Sequence, residues 1–141
     1  MLNEKQRNQI RANRIEELLP IYKQGQPRTI ESVVQHYRDR YLEEGNVVED
    51  LETLLSDLFS DLRHFARIRH PAKQAAAPCL EMVPILELEG FIKDLREFAE
   101  EHDLSWQTIL STSHMHFEEE VDDEILDLME TCGISRCRIA Q

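Results

Sequence analysis

Apolar residues recur along this chain with the period of an α-helix, and two stretches show the pattern most clearly. Each has four large apolar side chains spaced three, four and three residues apart: Leu55, Leu58, Leu62 and Phe65 in the first, and Leu88, Phe91, Leu95 and Phe98 in the second. Each also contains the phrase Asp-Leu-Arg-x-Phe-Ala, at residues 61–66 and 94–99, offset by 33 residues. This spacing places the four side chains on one side of a helix. We predict two similar helices whose apolar sides form the centre of a bundle.

Two helices are predicted before this pair. The first covers residues 2–19 and ends or kinks at Pro20, because proline lacks an amide donor. The second covers about 30–44, with Thr29 as its N-cap and Gly45 at its end. Their inward side chains are predicted to be Ile15, Leu18, Leu19, Tyr22, Ile30, Val33, Val34, Tyr37 and Tyr41.

The helix that carries the first phrase is predicted over residues 47–69. Asn46 is its expected N-cap, with Glu49 completing a variant of the capping box, and Pro71 terminates it. Residues 70–84 form the longest linker, in which three consecutive alanines favour a short helical turn. This linker separates the two copies of the phrase.

The helix that carries the second phrase is predicted over residues 85–101. Gly90 lies inside it and marks either a helix weakened by about 1 kcal/mol relative to alanine or close packing against another helix. Ser105 caps a last segment that runs, as one helix or two, to a stop at Gly133. Its predicted inward residues are Phe117, Val121, Ile125 and Leu128.

These elements predict a single all-α domain over residues 1–141, a bundle of five or six helices. Apolar residues make up 41% of the chain and charged residues 31%, which is typical of a globular protein. No run approaches the 18 apolar residues of a membrane span, and the polar N-terminus predicts no secretory signal. Cys79, Cys132 and Cys137 are then expected to be reduced thiols in the cytoplasm. Neither a metal nor another cofactor is predicted.

Charge is distributed unevenly along the chain. The net charge is −12, yet residues 1–40 carry 8 basic and 5 acidic side chains, whereas residues 81–141 carry 4 basic and 16 acidic ones. Between Glu97 and Glu130 there are twelve acids and no Lys or Arg. An acidic C-terminal half, residues 85–132, repels nucleic acid and attracts a basic protein.

The acids concentrate in residues 118–130. The candidate partner-binding residues are Glu118, Glu119, Glu120, Asp122, Asp123, Asp127 and Glu130, and Glu124 is the eighth acid of the segment. Eight charges over about 18 Å of helix amount to about one per 2.3 Å, against about one per 1.7 Å in duplex DNA. A face that imitates DNA is therefore one interpretation, and a solvated helix surface is the other.

The basic residues of the first helix allow two interpretations. Lys5, Arg7, Arg11 and Arg14 form a weak footprint for nucleic acid, without aromatic residues between them. The alternative is that this helix packs near the acidic C-terminal helix, in the same chain or in a second copy, and offsets its charge. We favour the internal alternative and expect no direct binding of nucleic acid.

Several histidines and acids are candidates for a metal site. His114 with Glu118, and His116 with Glu120, are spaced four apart and can each supply two ligands. The dipeptide His102-Asp103 is similar to that of helical HD-type phosphohydrolases, which would add His64, His70 and Asp123 as ligands. The elements at 49–52 and 119–122 resemble those with which MazG-type nucleotide pyrophosphohydrolases hold Mg²⁺, although about 66 residues separate them here.

One longer stretch has a broader resemblance. From Glu89 to Val121, a helix with the Asp-Leu-Arg phrase precedes a second helix that ends Ser113-His114-Met115-His116-Phe117-Glu118-Glu119-Glu120. This arrangement resembles small helical proteins encoded on phages and plasmids, whose second helix ends in His-Tyr-x-x-Glu. The resemblance implies a fold fragment and a mobile-element origin, and small acidic proteins of such elements often inhibit host defence proteins.

The sequence therefore predicts a cytoplasmic, non-enzymatic acidic module that binds a basic protein surface. In one form of this hypothesis it is an inhibitor that masks a nucleic-acid-binding surface of a host protein. Two alternatives remain open. One is a metal-dependent nucleotide hydrolase of all-α type, and the other is a homo-oligomeric scaffold in which residues 5–14 of one copy meet acids of another.

Overall fold

A computed structural model of the protein describes residues 2–23, 29–47, 50–75 and 86–132. Within these ranges the structure consists of helices without strands, which confirms the predicted all-α fold. The helices are α1 (Glu4–Lys23), α2 (Thr29–Glu43), α3 (Leu51–Arg69), α4 (Pro71–Ala75), α5 (Leu86–Glu101) and α6 (Trp106–Thr131). No helix among the described residues is long and apolar enough to cross a membrane.

The two repeated apolar patterns lie in the core, as predicted. All eight of their side chains are buried, four on α3 and four on α5, in one continuous cluster with residues of α1, α2 and α6. Helix α3 packs against α1 and α6, while α5 packs against α2 and α6. The inward residues predicted for α1 and α2 are buried or packed against this cluster.

Two predicted boundaries are wrong. Helix α1 continues through Pro20 to Lys23, because the buried Leu18 and Leu19 before the proline and the packed Tyr22 after it favour a continuous helix. The start of α3 is capped by Asp50 and not by Asn46: the Asp50 side chain accepts from the Thr53 amide at 2.7 Å.

Asn46 instead belongs to the end of α2, where its side-chain amide donates to the Tyr41 carbonyl. The adjacent Gly45 has φ +87°, which explains the predicted stop at this glycine. Thr29, predicted as an N-cap, is the first residue of α2. Glu49 lies outside the described residues.

Pro71 follows the end of α3, as predicted, and also begins the short helix α4, a position at which its missing amide costs nothing. Residues 76–85 of the predicted linker, with Cys79, lie outside the described residues. Ser105 caps α6 by accepting from the Thr108 amide at 3.2 Å. The last segment is one helix of 26 residues, and the predicted stop at Gly133 falls outside the described range.

Gly90 is explained by close packing. A Cβ atom placed there would lie 2.9 Å from the Tyr22 hydroxyl oxygen. That hydroxyl donates to Asp94 at 2.6 Å, and the Tyr22 ring meets Phe91 edge to face. A glycine at this point therefore lets α5 approach the end of α1.

Candidate functional site

Helix α6 divides into an inner side and an outer side. Its first part is anchored by the buried residues Trp106, Ile109 and Ser113. In the second part the predicted inward stripe is wrong at two positions. Ile125 is 42% exposed and Leu128 is 61% exposed, because polar contacts from Glu120, Glu124 and Asp127 set the orientation of the helix.

Glu120 is the centre of the inner contacts. One carboxylate oxygen lies 3.0 Å from His64 Nε2 and accepts from the Ser60 hydroxyl at 3.0 Å, and the other lies 2.8 Å from Arg11 Nη2. Burial raises the pKa of Glu120, but these partners outweigh burial and lower it overall. The carboxylate therefore stays ionised and joins α6 to α1 and α3.

Two more acids of α6 are used in the same way. Glu124 binds Arg67 of α3 at 3.0 Å and accepts from the Asn8 side chain at 3.1 Å. Asp127 accepts from the backbone amide of Glu4, the first residue of α1, at 3.0 Å. An acid at this point also faces the positive end of the α1 dipole.

The internal interpretation of the basic first helix is thus confirmed for Arg11, which pairs with an acid of α6, whereas Arg7 and Arg14 pair with acids elsewhere in the bundle. Arg11 binds Glu4 and Glu120. Arg14 binds Glu44 and Asp61. Arg7 has an ion pair with Glu4.

The remaining candidate acids point away from the bundle. On α6, residues spaced three and four apart form one exposed strip, which we call the outer stripe: Met115, Glu118, Asp122, Ile125 and the half-buried Met129. Glu119, Asp123 and Glu130 form a neighbouring exposed strip. Of the seven predicted partner-binding acids, five therefore face outward, and Glu120 and Asp127 face inward.

Four of the outward acids, Glu118, Glu119, Asp122 and Asp123, have little compensation from basic groups among the described residues. Glu118 Oε1 lies 2.8 Å from His114 Nε2, four residues before it on the exposed surface. Glu119, Asp122 and Asp123 make no ion pair within the part of the chain that the structure describes. Their charge is consequently available to a partner.

Residues that the sequence did not single out form a second polar feature, inside the bundle. Asp61 of α3 is 3% exposed and accepts from the Tyr37 hydroxyl at 2.6 Å and from Arg14 at 3.0 Å. Burial raises the pKa of Asp61 to about 7, against the opposing effects of Arg14 and Tyr37. The available signal was the position of Asp61, which falls on the apolar side of α3, at helical spacing with Leu58 and Phe65.

The candidate metal ligands do not converge. No group of three His, Cys, Asp or Glu side chains suited to a metal ion occurs within the described ranges. His102 contacts the Phe98 carbonyl at the turn after α5, whereas His64 is buried against Glu120. His116 lies 3.6 Å from Asp57. Cys132 is an exposed free thiol, and Cys137 lies outside the described residues.

Comparisons with protein-family models, curated proteins and solved structures found no match for this chain.

Proposed function

We propose that this protein is a non-enzymatic module that binds a basic, helical segment of another protein along the outer stripe of α6. Glu118 and Asp122 would pair with Lys or Arg of the partner. Met115, Ile125 and Met129 would pack against its apolar side chains. Glu119, Asp123 and Glu130 would attract the same partner from the side.

The observation that carries this proposal is the division of the acids on one helix. Glu120 and Glu124 meet arginines of the bundle, whereas Glu119, Asp122 and Asp123 have no basic group paired with them among the described residues. Exposed like charges on one helix destabilise it by a few tenths of a kcal/mol per pair. A basic partner would remove that cost and gain Coulomb attraction.

The shape of the expected partner follows from spacing. The spacing of the outer stripe alternates between three and four positions, at residues 115, 118, 122, 125 and 129. This is the spacing with which helices pack along each other. The exposed fractions of Met115 and Ile125, 51% and 42%, leave apolar surface to bury. An amphipathic helix laid along this stripe is a known mode of recognition.

Charge density argues against a full imitation of DNA. Five outward acids over about 18 Å amount to about one per 3.6 Å, roughly half the density of duplex DNA. We therefore propose a single basic helix as the contact. Such helices occur in nucleic-acid-binding proteins, and the resemblance to mobile-element proteins favours a host protein of that kind.

The test is capture from a lysate of the source cell with matched variants. The wild type is compared with Glu118→Lys/Asp122→Lys and with Glu97→Lys/Glu101→Lys. The control pair is exposed on α5, has the same spacing and makes the same change in net charge. We expect one protein to be retained by the wild type and the control and lost by the α6 variant.

The purified partner is then used to measure association rates at increasing sodium chloride. The rate should fall steeply with salt, because attraction between exposed charges is screened. Equal capture by all three proteins, or an association rate independent of salt, would contradict the proposal.

A further inference from the structure

A polar cavity lies between α1, α2, α3 and α6, on the inner side of α6. Its volume is about 90 Å³, and its walls are formed by Arg11, Arg14, Tyr41, Asn46, Asp57, Ser60, Asp61, His116 and Glu120. A groove of about 420 Å³ beside α1 shares Arg11, Arg14 and Asn46 with it. The cavity therefore adjoins the surface through a groove.

The arginines of the cavity are already paired. Arg14 lies 3.0 Å from Asp61 and 2.6 Å from Glu44. Arg11 lies 2.8 Å from both Glu4 and Glu120. An anion entering the cavity would compete with these carboxylates for every guanidinium.

Two carboxylates of the cavity, in contrast, keep an oxygen without a donor. Asp57 Oδ2 accepts from Tyr41 at 2.9 Å, but its Oδ1 lies 3.6 Å from His116 Nδ1, beyond hydrogen-bond distance. Asp61 Oδ2 accepts from both Tyr37 and Arg14, and Oδ1 has no donor within the described ranges. The wall thus keeps two carboxylate oxygens without a protein donor among the described residues, while the donors of Arg11, Arg14, Tyr41, Asn46 and Ser60 are bound to other acceptors.

We propose that the cavity binds the head group of a small organic cation, a primary ammonium or a guanidinium, through Asp57 and Asp61. One water takes up about 30 Å³ in the liquid, so the cavity has room for about three waters or for one such head group. The N–H donors of the head group would satisfy the two free carboxylate oxygens, and its charge would balance the acidic wall.

The titration behaviour of the wall agrees with this assignment. Burial raises the pKa of Asp57 and of Asp61, and the negative charge of Glu120 raises both further. An added cation would oppose these effects. The site is independent of the proposed partner binding, because Asp57 and Asp61 face inward and the outer stripe lies on the opposite side of α6.

The experiment is a salt titration in which the ring resonances of Tyr41 and His116 are monitored by NMR. Methylammonium chloride is the probe. Tetramethylammonium chloride has the same charge without N–H donors, and sodium chloride matches the ionic strength. We expect saturable shifts with methylammonium and no saturation with the other two salts.

Two variants complete the test, one in the cavity wall and one on the exposed surface. Asp57→Asn should weaken methylammonium binding about tenfold, which corresponds to one charge-assisted hydrogen bond of about 1.4 kcal/mol. Asp123→Asn, an exposed acid of α6, should leave it unchanged. The proposal would be overturned if sodium chloride alone or an anion such as acetate gave saturable shifts, or if none of the salts did. These outcomes are decisive even where Asp57→Asn fails to fold.

Discussion

At the scale of single residues, the core contains a histidine in one defined orientation. The His64 side chain is fully buried, its Nε2 lies 3.0 Å from Glu120, and its Nδ1 has no hydrogen-bond partner. Because a carboxylate only accepts, Nε2 is assigned the proton. A second proton on Nδ1 would leave a buried donor without an acceptor. Burial, with help from Arg11 and Arg67, accordingly lowers the pKa of His64 despite the attraction of Glu120.

This histidine predicts a loss of stability in mild acid. Unfolded histidine has a pKa of about 6.5, so below that pH the unfolded chain takes up a proton that folded His64 resists. The free energy of unfolding should therefore fall as pH drops through about 6.5 towards the lower folded pKa. His64→Gln keeps an N–H donor without this titration and should show a shallower fall.

Urea unfolding of both proteins at several pH values between about 7.5 and 5 measures this difference. Asp61, whose raised pKa favours the fold as pH drops, is present in both proteins and cancels in the comparison. Parallel pH profiles for the wild type and His64→Gln would show that folded His64 takes up a second proton as readily as the unfolded chain does.

Gly90 gives a second prediction for a single residue. Alanine in place of glycine inside a helix normally stabilises by about 1 kcal/mol. Here the added methyl would lie 2.9 Å from the Tyr22 hydroxyl, which Asp94 holds at 2.6 Å. We expect Gly90→Ala to give no gain in the wild type and a gain of about 1 kcal/mol in a Tyr22→Phe background. The double-mutant cycle is measured by urea unfolding, and an equal gain in both backgrounds would rule out the steric explanation.

At the scale of helices, the two copies of the repeated phrase share their buried apolar residues and one polar contact, and differ in a second polar contact. Asp61 and Asp94 occupy the same place in the two copies, and each accepts from a tyrosine hydroxyl at 2.6 Å, from Tyr37 and Tyr22 respectively. The arginine two positions later differs in role: Arg63 reaches Ser113 of α6, whereas Arg96 pairs with Glu100 on the surface. The two copies of the phrase therefore place their helices in the core in the same way, while their arginines have different partners.

The sequence could predict the features of the helices that depend on nearby residues. Apolar spacing located the core stripes of α3 and α5, because burial of large side chains follows helical period. It misplaced Ile125 and Leu128, because the rotation of α6 is set by ion pairs with Arg11 and Arg67, which are distant in the sequence. Local capping placed Ser105 correctly and failed at Asn46, since Asp50 competes for the same role four residues later.

The attachment of α6 through Glu120 predicts a difference between two adjacent residues. Glu120→Gln removes the ionic partner of Arg11 and the charged acceptor that faces His64, and leaves Arg11 partly buried with fewer contacts. We expect a loss of about 1–3 kcal/mol in the free energy of unfolding. Glu119→Gln, on the exposed neighbour, should stay within about 0.5 kcal/mol. Similar values for the two variants, measured by urea unfolding, would mean that the inner contacts do not hold α6.

At the scale of the whole molecule, charge is sorted between the interior and the surface. The arginines of α1 pair with Glu4 of the same helix, with Glu44 just after α2, and with acids of α3 and α6. The basic helix therefore does not offer them to a second copy without breaking those pairs. The acids that face outward repeat along α6 together with apolar residues. Two outer stripes placed against each other would bring Glu118 and Asp122 near the same acids of the second copy, in parallel and in antiparallel orientation. The charge on this stripe therefore opposes self-association and favours a basic partner.

This layout predicts a monomer whose oligomeric state depends on two side chains. Sedimentation at low and high sodium chloride should show one monomeric species in both, because screening weakens the repulsion without adding apolar contact. Glu118→Leu/Asp122→Leu joins Met115, Ile125 and Met129 into a continuous apolar stripe at coiled-coil spacing and should produce a dimer. Glu97→Leu/Glu101→Leu makes the same chemical change on α5 and should remain monomeric. A wild-type dimer that dissociates in high salt would instead support the scaffold alternative, and a monomeric α6 variant would show that the stripe does not accept a second helix.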